Sequence, residues 1–225
     1  QGPVLFEKNI PVGIVQGIQG LSWHKVTFTG ESDHAGPTPM NKRKAAFISA
    51  VKAMNQIYSW VNNLKDGTSV TFGKCFVKPN VVNVVPGEAS FSVDIRHPDK
   101  ETLIHHVDKL KEMIFNIASH DDVDGLVEDI SFMEPVFFSD RLVKALEDIS
   151  LENGLISHTM FSGAGHDSMY LNRLGDTVMI FVPSVDGKSH CEEEESLWPE
   201  IYKGVDLLYR LICKEMKQLV NNKFT

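Results

Sequence analysis

The sequence predicts part of an α/β domain into which a smaller α+β unit of order β-α-β-β-α-β is inserted. Three observations carry this. Alternating and helical periodicities follow one another in that order between residues 25 and 132, the texture changes after Glu134-Pro135, and a nearly unbroken apolar run stands late in the chain at 177–182. The 225 residues, 42% hydrophobic and 23% charged, suffice for one large domain or two small ones. The boundaries on this reading are 1–17, the end of a first α/β segment; 18–134, the inserted unit; and 135–225, the closing α/β segment.

Within 25–29, Val26 and Phe28 alternate with polar neighbours, the period-two pattern of a half-buried strand. Ala46, Ala50, Val51, Met54, Ile57, Tyr58 and Val61 then recur at helical spacing, and Asp66-Gly67 supplies a turn before a strand expected over 69–76. Residues 78–87 read as a loop with a proline near each end. Over 89–96, Phe91, Val93 and Ile95 take one strand face and Ser92, Asp94 and Arg96 the other, so Arg96 points away from the core side. His97-Pro98-Asp99 ends that strand. Leu103, Val107, Leu110, Ile114 and Ile117 mark a second amphipathic helix before a last strand at 126–132. This is the split, ferredoxin-like order.

Past Glu134-Pro135, a helix over 140–152 precedes a Gly-rich turn at 162–165. The run 177–182 reads as a strand buried on both faces of a parallel sheet, and Ile201, Val205, Leu208 and Leu211 define a closing amphipathic helix. The tail has too few strands to make an α/β domain alone.

The net charge of −8 and the absence of a basic stripe argue against nucleic acid and anionic membranes as partners, and the run from Glu192 to Glu195 reads as a solvated face. No segment approaches the roughly 18 apolar residues that span a bilayer. Three cysteines, Cys75, Cys191 and Cys213, lie far apart without C-x-x-C spacing, which indicates neither a disulfide framework nor a zinc knuckle and fits a reducing cytoplasm.

Four stretches combine turn residues with polar groups that packing does not require: Glu31 to Gly36, Pro79 to Gly87, Ser162 to Asp167, and Pro183 to His190. His190 follows the apolar run in the position where open α/β sheets bind ligands, so its imidazole could ligate a metal or act as a base; alone, it reads as a loop histidine. Arg96 has the planar fork suited to a carboxylate, and Asn83 could add a donor; the plainer reading pairs Arg96 with a neighbouring acid. His34 could equally be a helix-entry residue ahead of Pro39. His166-Asp167 reads as structural, with Asp167 at the start of the next helix, and Gly163 and Gly165 allow either a tight turn or a close ligand.

Taken together these stretches resemble the M20-type metallohydrolase superfamily, in its N-carbamoyl-L-amino-acid hydrolase and allantoate amidohydrolase branch. The resemblance rests on Gln1-Gly2-Pro3-Val4-Leu5, Thr27 to Gly36, Asn83-Val84-Val85-Pro86-Gly87, Asp94-Ile95-Arg96, Ser162 to Asp167, and Ile180 to Ser184, in family order across nearly the whole chain. It implies a catalytic α/β domain with an inserted ferredoxin-like lid, a homodimer formed through the lids, and hydrolysis of a small ureido acid by metal-activated water. It also implies two divalent metals, zinc or manganese, with His190 matching the one late ligand and the rest upstream of Gln1. On that ground the 225-residue chain alone is expected to be inactive. Gln1, Asn83, Arg96, Gly163 and Gly165 match substrate-holding positions, with Arg96 and Asn83 on the carboxylate. His34 matches the lid histidine that reaches the partner subunit's site and stabilises the oxyanion. Asp33, Pro37 and Cys191 depart from the usual Asn, Thr and Asn. The competing readings are a dipeptidase or aminoacylase of the same superfamily, and a non-catalytic dimerisation or small-molecule-binding module.

Overall fold

The structure, a computed structural model, describes residues 2–223. In chain order the first elements are α1 Val4–Glu7, β1 Val12–Ile18, β2 Gly20–Thr29, β3 Asp33–His34, α2 Ala46–Leu64, β4 Ser69–Thr71, β5 Cys75–Lys78, β6 Val84–Val85 and β7 Glu88–His97. There follow α3 Lys100–Asp121, β8 Asp124–Met133, β9 Val136–Phe137, α4 Asp140–Glu152, β10 Ser157–Ser162, α5 Ser168–Leu171, β11 Met179–Phe181 and α6 Trp198–Lys223. The chain divides into two compact units, Gly20–Pro135 and the combination of Gln1–Gln19 with Val136–Thr225.

The first of these is an antiparallel sheet of order β4-β7-β2-β8, with β5 also on β7, covered on one face by α2 and α3. That is the ferredoxin-like order the periodicity predicts. Alternation selects the inward face: Val26, Phe28, Ala89, Phe91 and Val93 pack with Ala50, Ile57, Leu110 and Ile114 of the helices in one core. The expected single strand over 69–76 is instead two. Thr71 pairs with Asp94 and Cys75 with Phe91, so three residues on one strand face two on the other. The ladder breaks there, and Ser92 Oγ takes the Lys74 N–H at 3.0 Å. Asp99 caps α3 by accepting from the Thr102 N–H at 2.8 Å.

A hydrogen-bonded chain that starts from the buried Ser22 and His24 ties β2 to β8 and α3. Ser22 Oγ lies 2.8 Å from His24 Nε2, and His24 Nδ1 lies 2.8 Å from Asp129 Oδ1. Lys111 Nζ donates to the other Asp129 oxygen at 2.9 Å. A register shift between Trp23 and His24 leaves Ile130 unpaired and sets Asp129, whose side chain stays largely exposed, opposite the histidine. Burial pushes the His24 pKa down against the pull of Asp129, so the ring is neutral at pH 7.

The other unit has β1 at its centre, parallel to β10 on one side and antiparallel to β11 on the other, with β9 pairing the end of β1. Three of its strands, β1, β9 and β10, are not anticipated from the sequence pattern. The 177–182 expectation is corrected: β11 is three residues long, half-buried and antiparallel to β1. Val12, Ile14, Leu146, Ile149, Leu207 and Leu211 form this unit's core. The closing helix buries Gly204, Leu207 and Leu211, whereas Val205 and Leu208 of the expected stripe are exposed at 59% and 46%. No helix among the described residues is long and apolar enough to cross a membrane.

Candidate functional site

Beyond the paired ends of β2 and β7 the chain continues as a narrow tip. Gly30 N donates to Gly87 O at 2.8 Å, Asp33 pairs with Val85, His34 pairs with Val84, and Ala35 N donates to Asn83 O at 2.9 Å. His34, on this two-pair ladder, and Asn83, in the turn just before its second strand, therefore lie at the same tip. His34 is a strand residue here, not the entry to a helix. Its Nδ1 accepts the Gly36 N–H at 3.1 Å, which places the proton of the neutral ring on Nε2 and makes Nε2–H the remaining donor. A methyl at Gly36 would stand in ordinary contact with His34 Cε1 at 3.4 Å.

Arg96 lies at the other end of β7. From Glu88 to Arg96 is eight residues of continuous strand, about 26 Å at a rise of about 3.3 Å per residue. Asn83 lies beyond Glu88 on the far side, so the Arg96 and Asn83 of one chain do not meet on one small carboxylate. Arg96 grips a neighbouring acid, the plainer reading: Nε and Nη2 donate to the two oxygens of Asp94 at 2.9 and 2.6 Å. This bidentate bond, opposed by partial burial, holds the Arg96 pKa above its ordinary value. These two bonds orient the fork. The Asp94 partner was legible in the sequence, because residues two apart on a strand share a face.

In the other unit, β10 ends in Ser162 and the glycine turn follows. Ser162 Oγ donates to Ala164 O at 2.9 Å and lies 3.0 Å from His166 Nε2, while the His166 ring stands 5.5 Å from that of Phe181. Burial lowers the His166 pKa, so this ring is also neutral. Gly163 and Gly165 are exposed, neither has a left-handed φ, and a methyl at either would meet nothing closer than Met169 Sδ at 3.7 Å. Neither a left-handed φ nor close packing therefore demands glycine at either position. Asp167 occupies the start of α5, but its side chain makes no capping bond, contrary to expectation.

His190 is exposed with φ 58°, and its N–H donates to Glu194 Oε2 at 2.6 Å. Because β11 runs antiparallel to β1 and β10, the rule that ligands gather at the carboxyl ends of parallel strands does not extend to the loop after it. No group of three or more His, Cys, Asp or Glu among the described residues could hold a metal ion. Gln1 lies outside the described residues. Cys75, Cys191 and Cys213 are free thiols.

An α/β segment carrying an inserted ferredoxin-like unit, with a polar tip at one end of that unit and an oriented arginine at the other, defines the architectural class. Residues 16–122 match the model of the peptidase dimerisation domain family, M20_dimer. It is 35% identical over 94% of its length to an N-carbamoyl-L-amino-acid amidohydrolase of Paenarthrobacter aurescens, covering 52% of that protein. It is 34% identical, with the same coverage of both, to an allantoate amidohydrolase of Bacillus subtilis. The crystal structure of an amidase of the hydantoinase/carbamoylase family from Burkholderia multivorans matches with a TM-score of 0.88 at 35% identity, over 93% of this chain and 51% of that one. The chain thus spans about half the length of the curated relatives it matches.

Proposed function

We propose that the protein containing this chain hydrolyses the C–N bond of a linear ureido acid, allantoate or an N-carbamoyl-L-amino acid, at a site completed between two copies joined through the Gly20–Pro135 unit. The observation that carries this reading is the separation of the polar residues along β7. His34 and Asn83 share one tip, and Arg96 stands about 26 Å of strand away from its start. A small acid that touches all three needs the tip of one copy and the Arg96 of another. The names of the relatives supply the substrate class.

In this reading Arg96, held flat by Asp94, binds the substrate carboxylate, and Asn83 of the partner copy adds a donor. The Nε2–H of His34 donates to the oxygen that gains charge as the ureido carbonyl becomes tetrahedral. Because the Gly36 N–H already fixes the tautomer, little reorganisation is needed at that moment. By the resemblance, Gly163, Gly165 and Gln1 match positions that hold the substrate. Hydrolysis yields an amine and a carbamate that decomposes to ammonia and carbon dioxide. Metal dependence follows from the resemblance. His190 offers a single imidazole, and one donor does not fit a metal pair, so the described residues hold the substrate and its developing charge and the further ligands belong to other parts of the protein. The free thiols suit a reducing cytoplasm.

The test is ammonia release by the full-length protein, loaded with manganese or zinc, against allantoate and a panel of N-carbamoyl-L-amino acids. Turnover of one class that collapses in Arg96→Ala and His34→Ala is expected. Absence of turnover with every member of the panel would overturn the reading.

A further inference from the structure

We infer that Arg43, acting with Thr38, is a positioning residue that holds the His34 imidazole in its working pose; the inference rests on the proposed role of His34. A ladder of two residue pairs is marginal by itself, yet β3 must present an exposed ring with a fixed direction. What holds it is the returning chain. Arg43 Nη2 donates to Ala35 O at 2.6 Å and Arg43 Nε donates to Thr38 O at 3.0 Å, so one planar guanidinium bridges two carbonyls on either side of the turn. Thr38 Oγ1 in turn donates to His34 O at 2.6 Å. The base of the excursion is closed by Glu31 N donating to Lys44 O at 3.0 Å, immediately beside Arg43. The route from guanidinium to imidazole is therefore short. Arg43 sets the path of residues 35–38, that path sets the Gly36 N–H, and the Gly36 N–H sets the proton on His34 Nε2.

A lysine at position 43 would carry the charge but not the fork, and a single ammonium does not reproduce two fixed bonds diverging from one plane. A catalytic donor displaced by about 1 Å can lose about 100-fold in rate. Arg43→Lys is therefore expected to lower kcat by roughly 10- to 100-fold with a smaller effect on KM, since Arg96, the main carboxylate partner in this reading, lies at the other end of β7.

The experiment is a double-mutant cycle in the metal-loaded full-length protein, with His34→Gln, Arg43→Lys and the pair, read as kcat and KM on the ureido acid that the wild type turns over. Arg43→Lys is expected to cost its full factor in the wild-type background and less than about 2-fold in the His34→Gln background, because the effect passes through His34. Added guanidinium ion is expected to restore part of the rate of Arg43→Gly. Equal losses in both backgrounds, or no loss in either, would overturn the inference. If the wild type turns over no ureido acid, the function reading falls and the positioning claim is decided by imidazole ¹⁵N shifts, with His34→Gln used for assignment. A wild-type ring protonated at Nε2 that becomes a tautomer mixture in Arg43→Lys supports it, and an unchanged ring refutes it.

Discussion

Subunit complementation gives the most direct test of a site shared between copies. The perturbation is a pair of single variants, His34→Ala and Arg96→Ala, purified separately. Loss of a donor aimed at developing charge costs about 10²–10³ in kcat, and loss of a charged bond to the substrate costs about 1.5–3 kcal/mol, so each homodimer should keep less than about a tenth of wild-type activity. Mixed under conditions that exchange subunits, the two give homodimers and heterodimers in a statistical 1:2:1 ratio. In a heterodimer one site draws His34 from the Arg96→Ala chain and Arg96 from the His34→Ala chain, so both are intact; the other site lacks both. Half of the dimers then carry one working site of two, and the mixture should recover about one quarter of wild-type activity. The structural ground is the strand of about 26 Å from Glu88 to Arg96, with Asn83 and His34 beyond its start. If both residues served the same chain's site, every site in the mixture would lack one of them and activity would stay at the level of the single variants. Recovery no greater than that background, with subunit exchange verified by native mass spectrometry, would refute the reasoning.

Further predictions concern stability and metal. Burial lowers the pKa of His24 and of His106 below the ordinary 6.5, against the opposing pull of Asp129 and of Asp66 respectively. The unfolded chain thus takes up protons that the folded one refuses. The stability is fully present above pH 6.5 and is lost as pH falls through the lowered values, with each tenfold difference in proton affinity between folded and unfolded chain worth about 1.4 kcal/mol. The melting temperature should fall between pH 7.5 and 5.5 at fixed ionic strength and fall less in His24→Gln; a flat profile would contradict this. At Gly30 an added methyl runs into the backbone carbonyl oxygen of Lys44, which cannot move without shifting the His34 excursion. Gly30→Ala should cost about 1–3 kcal/mol, seen as a lower melting temperature, with a larger relative loss of kcat. If His190 is the late metal ligand, His190→Ala in the full-length protein should bind fewer metal ions per subunit by elemental analysis, and unchanged stoichiometry would remove it from that role.

Where one face of an element meets solvent, the sequence announced it; where both faces are covered, or the element is apolar all round, it did not. Phe91, Val93 and Ile95 against Ser92, Asp94 and Arg96 are legible because an antiparallel sheet with helices on one side imposes alternation. Residues 12–18 are buried almost throughout, so β1 has no alternation to read. The closing helix failed in a related way. It buries Gly204, Leu207 and Leu211 but also carries Tyr202, Val205, Tyr209 and Ile212 on exposed positions, so helical periodicity alone could not choose the face. The break between β4 and β5 turns on one extra residue around Gly73, a register effect with no compositional signal.

The candidate site was legible in its residues and illegible in its arrangement, for a physical reason. His34, Asn83 and Arg96 stand in stretches whose glycines, prolines and polar groups exceed what packing needs. Their grouping depends on strand length and pairing register, and β7 is long enough to carry Asn83 and Arg96 to opposite ends. Arg43 was missed because its partners are the carbonyls of Ala35 and Thr38, and backbone acceptors leave no trace in side-chain identity. The same holds for the Gly36 N–H that sets the His34 tautomer. Residues that touch a substrate are conspicuous in a sequence by their chemistry, while those that aim them act through the main chain and become visible only when the fold brings donor and acceptor together. The tip of this unit is governed by the second kind, so substitutions at Thr38 and Arg43 should move kcat more than their distance from any substrate suggests.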